Sequence, residues 1–390
     1  MVDYGRPTPR RAFRIGSIAL QLALVVVVVG IGYAAFINAS QNLAHANIAT
    51  GFGFWNNTAG FDISQTLISY SSSVSTFGRA FWVGFLNTLL VAGISIVLAT
   101  IIGFIVGIAR LSSNWLVARL AGGYVEMIRN VPLLLQLLFW YNAILKSLPE
   151  LHGSLTLPGG ALLNNRGLFL PRPEFGARFD AVTLALAIGI VATALLLLWA
   201  HRRQQRTGAQ PHVAWPALGL VVGLPILVFV VAGSPLIFHP PDLGRFNVRG
   251  GIEILPEFAA LLLALSIYTA AFIAEVVRAG ILAVSVGQTE AAHALGLRQG
   301  TTLRLIIVPQ AMRVIVPPLT SQYLNLIKNS SLAVAIGYPD LVQVFAGSVL
   351  NITGQAVEVI AITMAVYLAI SLITSLAMNL YGRTTAIVER

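Results

Sequence analysis

Charged and polar side chains are scarce in this chain, so the few set inside apolar stretches mark where chemistry or recognition could occur. Glu126 with Arg129, and Glu275 with Arg278, stand three residues apart, the spacing at which side chains meet on one helix. An ionisable group at the centre of a bilayer costs about 3 kcal/mol on insertion scales. Both pairs are therefore expected near the cytoplasmic face as structural ion pairs, with substrate contact as the competing role. Asn87, Thr88, Gln136, Tyr268, Thr269, Asn325 and Lys328 are candidates for lining a central pathway, and hydrogen bonding between helices is the other use of such groups. Covalent chemistry finds no such constellation. There is no cysteine, the six histidines show no ligand spacing, and neither HExxH nor GxSxG occurs, so no catalytic residue and no metal site is expected. Neither of the two lysines, Lys146 and Lys328, follows the glycine that a phosphate-cradling Walker loop requires.

One polar stretch interrupts the apolar text at residues 290–309, EAAHALGLRQGTTLRLIIVP. Ser285 and Gln288 have the spacing of a capping box and would start a short helix over 289–295. Gly296 would close it, since glycine readily takes the left-handed conformation at a helix end. Thr301 or Thr302 would cap the next segment, where Leu303, Ile306 and Ile307 share a face, and Pro309 would bend the chain towards the following span. The result is a small alanine-rich helix that another protein could approach closely, or else an ordinary loop with two helical turns.

The elements that must position these residues are transmembrane helices. Of 390 residues 57% are hydrophobic and 10% charged, and the mean hydropathy is +0.82, whereas soluble domains carry about 25% charged residues. Eight stretches approach the roughly 20 apolar residues that a span needs: 15–37, 83–109, 122–145, 181–200, 214–232, 257–277, 312–327 and 355–380. The third contains Glu126, Arg129 and Pro132, and the seventh Pro317 and Pro318. Arg6, Arg10, Arg11, Arg14, the basic residues of 110–119, 201–206 and 278–313, and Arg383 all fall on one side of an eight-span arrangement, which the positive-inside bias makes the cytoplasm. Both termini are then cytoplasmic. The net charge of +10 is spread over these short clusters rather than forming a nucleic-acid patch, so the expected surroundings are membrane lipid and not nucleic acid. Arg10 and Arg11 before Phe13, with Ala44-His45-Ala46 beyond, imitate a twin-arginine signal and cleavage site, but the intervening apolar run is too long for a signal peptide and reads as an anchor.

Glu290-Ala291-Ala292, Gly296 and then Ile306 with Pro309 resemble the EAA motif of ABC importer permeases, with Val308 in place of the usual leucine. Residues 84–89, 126–136 and 268–281 further resemble the polar amino-acid permeases, in the same order along the chain, and the length is most similar to the long subunit of a general L-amino-acid importer. The resemblance covers roughly 79–145 and 257–382. It implies an all-α membrane protein with about eight transmembrane helices around a five-helix type I permease core. The implied division is an N-terminal tail, first span and outer segment over 1–78; a first core part over 79–145; an insert with outer loops and two extra spans over 146–256; and a second core part over 257–390 that carries the coupling loop 285–309.

Function follows from the resemblance as an expectation. The chain is a permease subunit of an ATP-driven, binding-protein-dependent importer of L-amino acids in the bacterial inner membrane, and not itself an enzyme. Glu290, Ala291, Ala292, Gly296, Arg298, Ile306 and Pro309 would transmit ATPase closure to the membrane domain, giving alternating access. ATP and Mg would be held by two copies of a separate cytoplasmic ATPase, with no cofactor in this chain. A periplasmic amino-acid-binding protein would deliver substrate, and a second, related permease, before a second copy of this chain, would complete the pair. The competing class is an ion-coupled secondary transporter of small polar solutes, but the two halves of the sequence show no inverted repeat.

Overall fold

The computed structural model describes residues 12–45, 50–208, 211 and 213–385. Arg6, Arg10 and Arg11 of the basic cluster, and Ala46 of the apparent cleavage site, lie outside the described residues. Among the described residues the fold is carried by the helices α1 (Ala12–His45), α2 (Phe77–Ala109), α3 (Trp115–Asn130), α4 (Leu133–Leu145), α5 (Phe179–Thr207), α6 (Ala214–Val231), α7 (Pro256–Leu282), α8 (Val286–Ala294), α9 (Gln299–Ile336), α10 (Val342–Thr353) and α11 (Ala356–Thr385). Among the described residues six helices, α2, α5, α6, α7, α9 and α11, are long and apolar enough to cross a membrane. A seventh span counts if α3 and α4 form one crossing, and the described apolar part of α1 runs over Leu20–Ala35.

The third expected span is not a straight helix, because α3 and α4 meet at 103°. Pro132 cannot donate its missing amide to α3 and forces Val131 into the extended region, at φ −104° and ψ 127°. The seventh expected span is much longer than 312–327. Helix α9 begins at Gln299 and passes through Pro317 and Pro318 without ending.

The chain packs as two compact units. In the first, residues 1–134 and 261–390, Thr76 and Asn114 cap α2 and α3 through their side-chain oxygens. Gly103 and Gly107 of α2 set a small-residue stripe against α7. A methyl group added at Gly103 would stand 2.6 Å from Ile273, and one at Gly107 would stand 2.8 Å from the Ala274 carbonyl, so the close approach of the two backbones requires both glycines. Ala99, Ala270, Ile273, Val277, Ile315 and Leu326 fill the adjoining core. A second core gathers Phe54, Phe77, Phe81 and Phe345, which seats the segment around residues 53–61 against α2 and α10.

In the second unit, residues 135–260, the segments expected as outer loops form small antiparallel sheets beside the helices. Strands β1 (Leu155–Leu157), β2 (Ala161–Asn164), β3 (Gly167–Leu170) and β8 (Ile252–Ile254) pair in that order, with Leu168 opposite Ile254. The sheet thus ties the two ends of this region together. β4 (Arg172–Phe175) pairs with β5 (Leu236–His239), and β6 (Asp242–Leu243) with β7 (Val248–Arg249). Between them α5 and α6 form an antiparallel pair that closes where Gly189 meets the Leu220 carbonyl, too tightly for any side chain.

Candidate functional site

The polar hairpin folds as a helix, a tight turn and a second helix start. Helix α8 holds Glu290, Ala291 and Ala292. Gly296 follows it at φ +73°, and its amide bonds to the His293 carbonyl at 2.9 Å while the Leu297 amide reaches the Ala292 carbonyl at 3.1 Å. Those two bonds are the pair that defines a Schellman turn. Ala292 is buried, whereas Glu290, Ala291, Gly296 and Arg298 are exposed. Val286 and Leu295, at the two ends of α8, are 71% and 80% exposed, so the element presents apolar groups outward that its own chain does not cover.

Three local details differ from the sequence expectation. Ser285 precedes α8, but its hydroxyl makes no cap; the Gln288 side chain instead accepts from the Gln310 amide at 3.2 Å, fastening α8 to α9. Neither Thr301 nor Thr302 caps the next segment, which begins at Gln299 behind Arg298, and the Thr302 hydroxyl is turned back to the Arg298 carbonyl. Pro309 does not bend the chain away. A π turn over Leu303–Ile307, with the Val308 amide bonded five residues back to Leu303, absorbs the missing proline amide and lets α9 continue. In that turn Ile307 is buried, Ile306 half-buried and Leu303 exposed.

A carboxylate clasp joins three helices of the same unit. Glu275 of α7 bonds Arg278 at 2.6 Å and also contacts Arg110 at the end of α2. The expected pairing of Glu126 with Arg129 does not form: Glu126 is exposed, and the Arg129 guanidinium lies over the Phe272 ring, 5.1 Å from its centre, and 4.0 Å from the Glu275 carboxylate. The aromatic face and the Glu275 charge together outcompete an exposed neighbour on its own helix.

The residues expected along a pathway divide into two groups. Tyr268 of α7 and Asn325 of α9 line a cleft of about 290 Å³, together with Phe272, Gln322 and Asn329. Sequence reading missed Gln322 and Asn329, although their spacing from Asn325, three back and four on, marks one face of a helix. Asn87, Thr88, Thr269, Gln136 and Lys328 do not line this cleft. Asn87 and Thr88 are fully buried: the Asn87 amide donates to the Gln65 and Pro339 carbonyls, each at 2.9 Å, and the Thr88 hydroxyl accepts from the Leu341 amide at 2.9 Å. They lock α2 to the turn before α10. Thr269 is buried, Lys328 is exposed, and Gln136 is buried and belongs to the 135–260 unit.

Asp340 in that turn is the one charged side chain that is fully buried among the described residues. It accepts from the Gln343 backbone N–H at 2.8 Å and the Tyr367 hydroxyl at 3.1 Å, and desolvation pushes its carboxyl up to about 7. Among the described residues no group of three or more His, Asp or Glu side chains is gathered to hold a metal ion.

A multi-span helical protein with an exposed polar hairpin and an uncharged cleft between two spans has the form of a membrane transport component. The family of binding-protein-dependent transport system inner membrane components matches residues 99–386, and the chain belongs to it. Its relatives include the general L-amino acid transport system permease protein AapQ of Rhizobium johnstonii, 54% identical over 96% of this chain and 93% of that protein. The putative amino-acid ABC transporter permease protein YhdX of Escherichia coli is 53% identical over 95% of this chain and 94% of its own length. The glutamate/glutamine/aspartate/asparagine transport system permease protein BztB of Rhodobacter capsulatus is 42% identical over 97% and 95%.

Proposed function

We propose that this chain is the permease subunit of an ATP-driven importer of L-amino acids and that α8 with Gly296 is its coupling element. The observation that carries the reading is the hairpin: a short helix closed by a Schellman turn, anchored by buried Ala292 and the Gln288–Gln310 bond, with Glu290, Val286 and Leu295 facing outward. A rigid knob of this kind transmits a push to α9 through the π turn, and α9 carries three of the cleft residues. The substrate class is supported by the near full-length similarity to relatives named for amino-acid transport.

In this scheme two cytoplasmic ATPase subunits hold ATP and Mg, and their closure draws two coupling helices together to open the cleft outward; hydrolysis resets it inward. The second helix belongs to a related permease, with a second copy of this chain as the alternative. A periplasmic binding protein supplies the amino acid, the chain lies in the bacterial inner membrane, and both termini are cytoplasmic. The test is uptake of a labelled amino-acid mixture by cells expressing the whole complex, with Gly296→Asp and Glu290→Lys compared at matched membrane levels. Loss of uptake together with loss of the co-purifying ATPase supports the reading; unchanged uptake and retention in both variants overturns it.

A further inference from the structure

We infer that the arginine stripe at the end of α5 is a binding site for the headgroup of an anionic phospholipid. The apolar run 181–200 of α5 rises about 30 Å at about 1.5 Å per residue, which is the thickness of the hydrocarbon layer. Arg202, Arg203 and Arg206 follow directly and so stand at the level of the lipid phosphates. Trp199 and Trp215, on either side of the turn from α5 to α6, are 48% and 78% exposed, as the aromatic anchors of a membrane interface are. Trp199, Arg202, Arg203 and Arg206 are spaced three, four and seven residues apart from the first, which puts them on one face of the helix. Together with Thr207 they line a cleft of about 350 Å³, and the Arg203 guanidinium is held over the Trp199 ring, 5.2 Å from its centre.

The charge of this stripe is not balanced within the chain. Arg110, Arg129 and Arg278 share the Glu275 carboxylate, whereas among the described residues Arg202, Arg203 and Arg206 take part in no ion pair. No Asp or Glu occurs between Asp180, in the first turn of α5, and Asp242, beyond α6. Arg202 and Arg206, four apart on the helix, repel each other, and a phosphate between them turns that repulsion into two favourable pairs. The planar guanidinium fork meets phosphate oxygens with parallel charge-assisted bonds. A lipid fits better than a free anion because the same face continues into the membrane as Leu195 and Leu198, which are 61% and 56% exposed. One stripe thus runs from apolar through aromatic to cationic, the order in which an anionic lipid presents its acyl chain, glycerol region and phosphate. Basic clusters directly beyond a span attract anionic headgroups in this way.

The experiment is photocrosslinking of the assembled complex, in mild detergent, to phosphatidylglycerol with a photoactivatable headgroup, read by mass spectrometry of the peptides spanning 195–215. Unlabelled phosphatidylglycerol, phosphatidylcholine and inorganic phosphate are the competitors. An arginine at an anionic headgroup is worth about five-fold in affinity, so wild type should prefer phosphatidylglycerol over phosphatidylcholine on the order of a hundred-fold. Arg203→Gln with Arg206→Gln should leave about five-fold, while lysine at both positions keeps the charge and most of the preference. If the double glutamine variant does not assemble, Arg202→Gln is read alone, with a loss of about five-fold expected. An unchanged preference in the glutamine variants, or no crosslink within 195–215 in wild type, overturns the inference. Lysine substitutions that lose as much as glutamine assign the arginines a structural role and overturn it too. Inorganic phosphate that competes at the concentration of the lipid makes this a site for a free anion and overturns the assignment to lipid.

Discussion

Replacing Glu275 by glutamine keeps the shape and one acceptor oxygen but deletes the charge shared by three arginines, so it isolates the electrostatic part of the clasp. Removing one partner from a buried ion pair costs about 3–5 kcal/mol, whereas exposed pairs contribute about 0–1 kcal/mol. The Glu275 side chain is 27% exposed and its partners Arg110, Arg278 and Arg129 are 16%, 32% and 42% exposed. An intermediate loss of roughly 1–3 kcal/mol is expected, since water screens the cluster in part. For a protein of this size that is a fall in midpoint of a few degrees, measured by thermal unfolding of the purified complex in nanodiscs. Two controls are specific to the mechanism. Raising the salt concentration narrows the gap by screening the arginines from each other, and adding Arg110→Gln to Glu275→Gln recovers part of the loss, a non-additive result for residues in contact. A Glu275→Gln midpoint equal to wild type, or a double variant that loses the sum of both effects, refutes the clasp.

Three further outcomes follow from separate parts of the molecule. At Gly296 the φ of +73° costs a β-branched residue about 1–2 kcal/mol, while asparagine tolerates it and no neighbour lies within 4 Å of an added methyl; limited proteolysis should cut the hairpin faster in Gly296→Val than in Gly296→Asn. Burial raises the Asp340 carboxyl from 3.8 to about 7, so across that window the folded protein holds a proton that the unfolded chain releases. Stability then falls as pH rises through it, and Asp340→Asn should flatten the melting profile between about pH 4 and 7. Asn325→Leu is expected to reduce uptake about ten-fold or more at normal membrane levels, whereas Asn87→Leu, which removes two buried hydrogen bonds, should lower the amount of folded protein recovered.

The spans were legible because apolar length alone selects them in a membrane, and Gly296 was legible because few residues other than glycine close a helix in the left-handed region. Details that depend on a distant partner were not. Gln288 fits a capping box by spacing, yet Gln310, on the next helix, takes its side chain. Arg129 fits an ion pair with Glu126, yet Phe272 and Glu275 come from another helix. Asn87 and Thr88 read as pathway residues because polar groups in spans are rare, and only the fold shows that their partners are the backbone of residues 339–341. The sheets of the second unit were missed because β3 and β8 lie far apart in sequence and are only three or four residues long. Gln322, Asn325 and Asn329 were available to a helical-face reading, and their common cleft rewards it.

The central claim is that the α8 hairpin seats in an ATPase subunit. Because the chain has no cysteine, exposed Ala291 can be changed to cysteine as a single reactive site in this chain and coupled to a short thiol-reactive photocrosslinker in the assembled complex. The account predicts a crosslink from position 291 to the ATPase whose yield changes when ATP and Mg are added, and none from a cysteine at exposed Phe52. A crosslink equally strong from both positions, or absent from 291 while the ATPase remains bound, contradicts it.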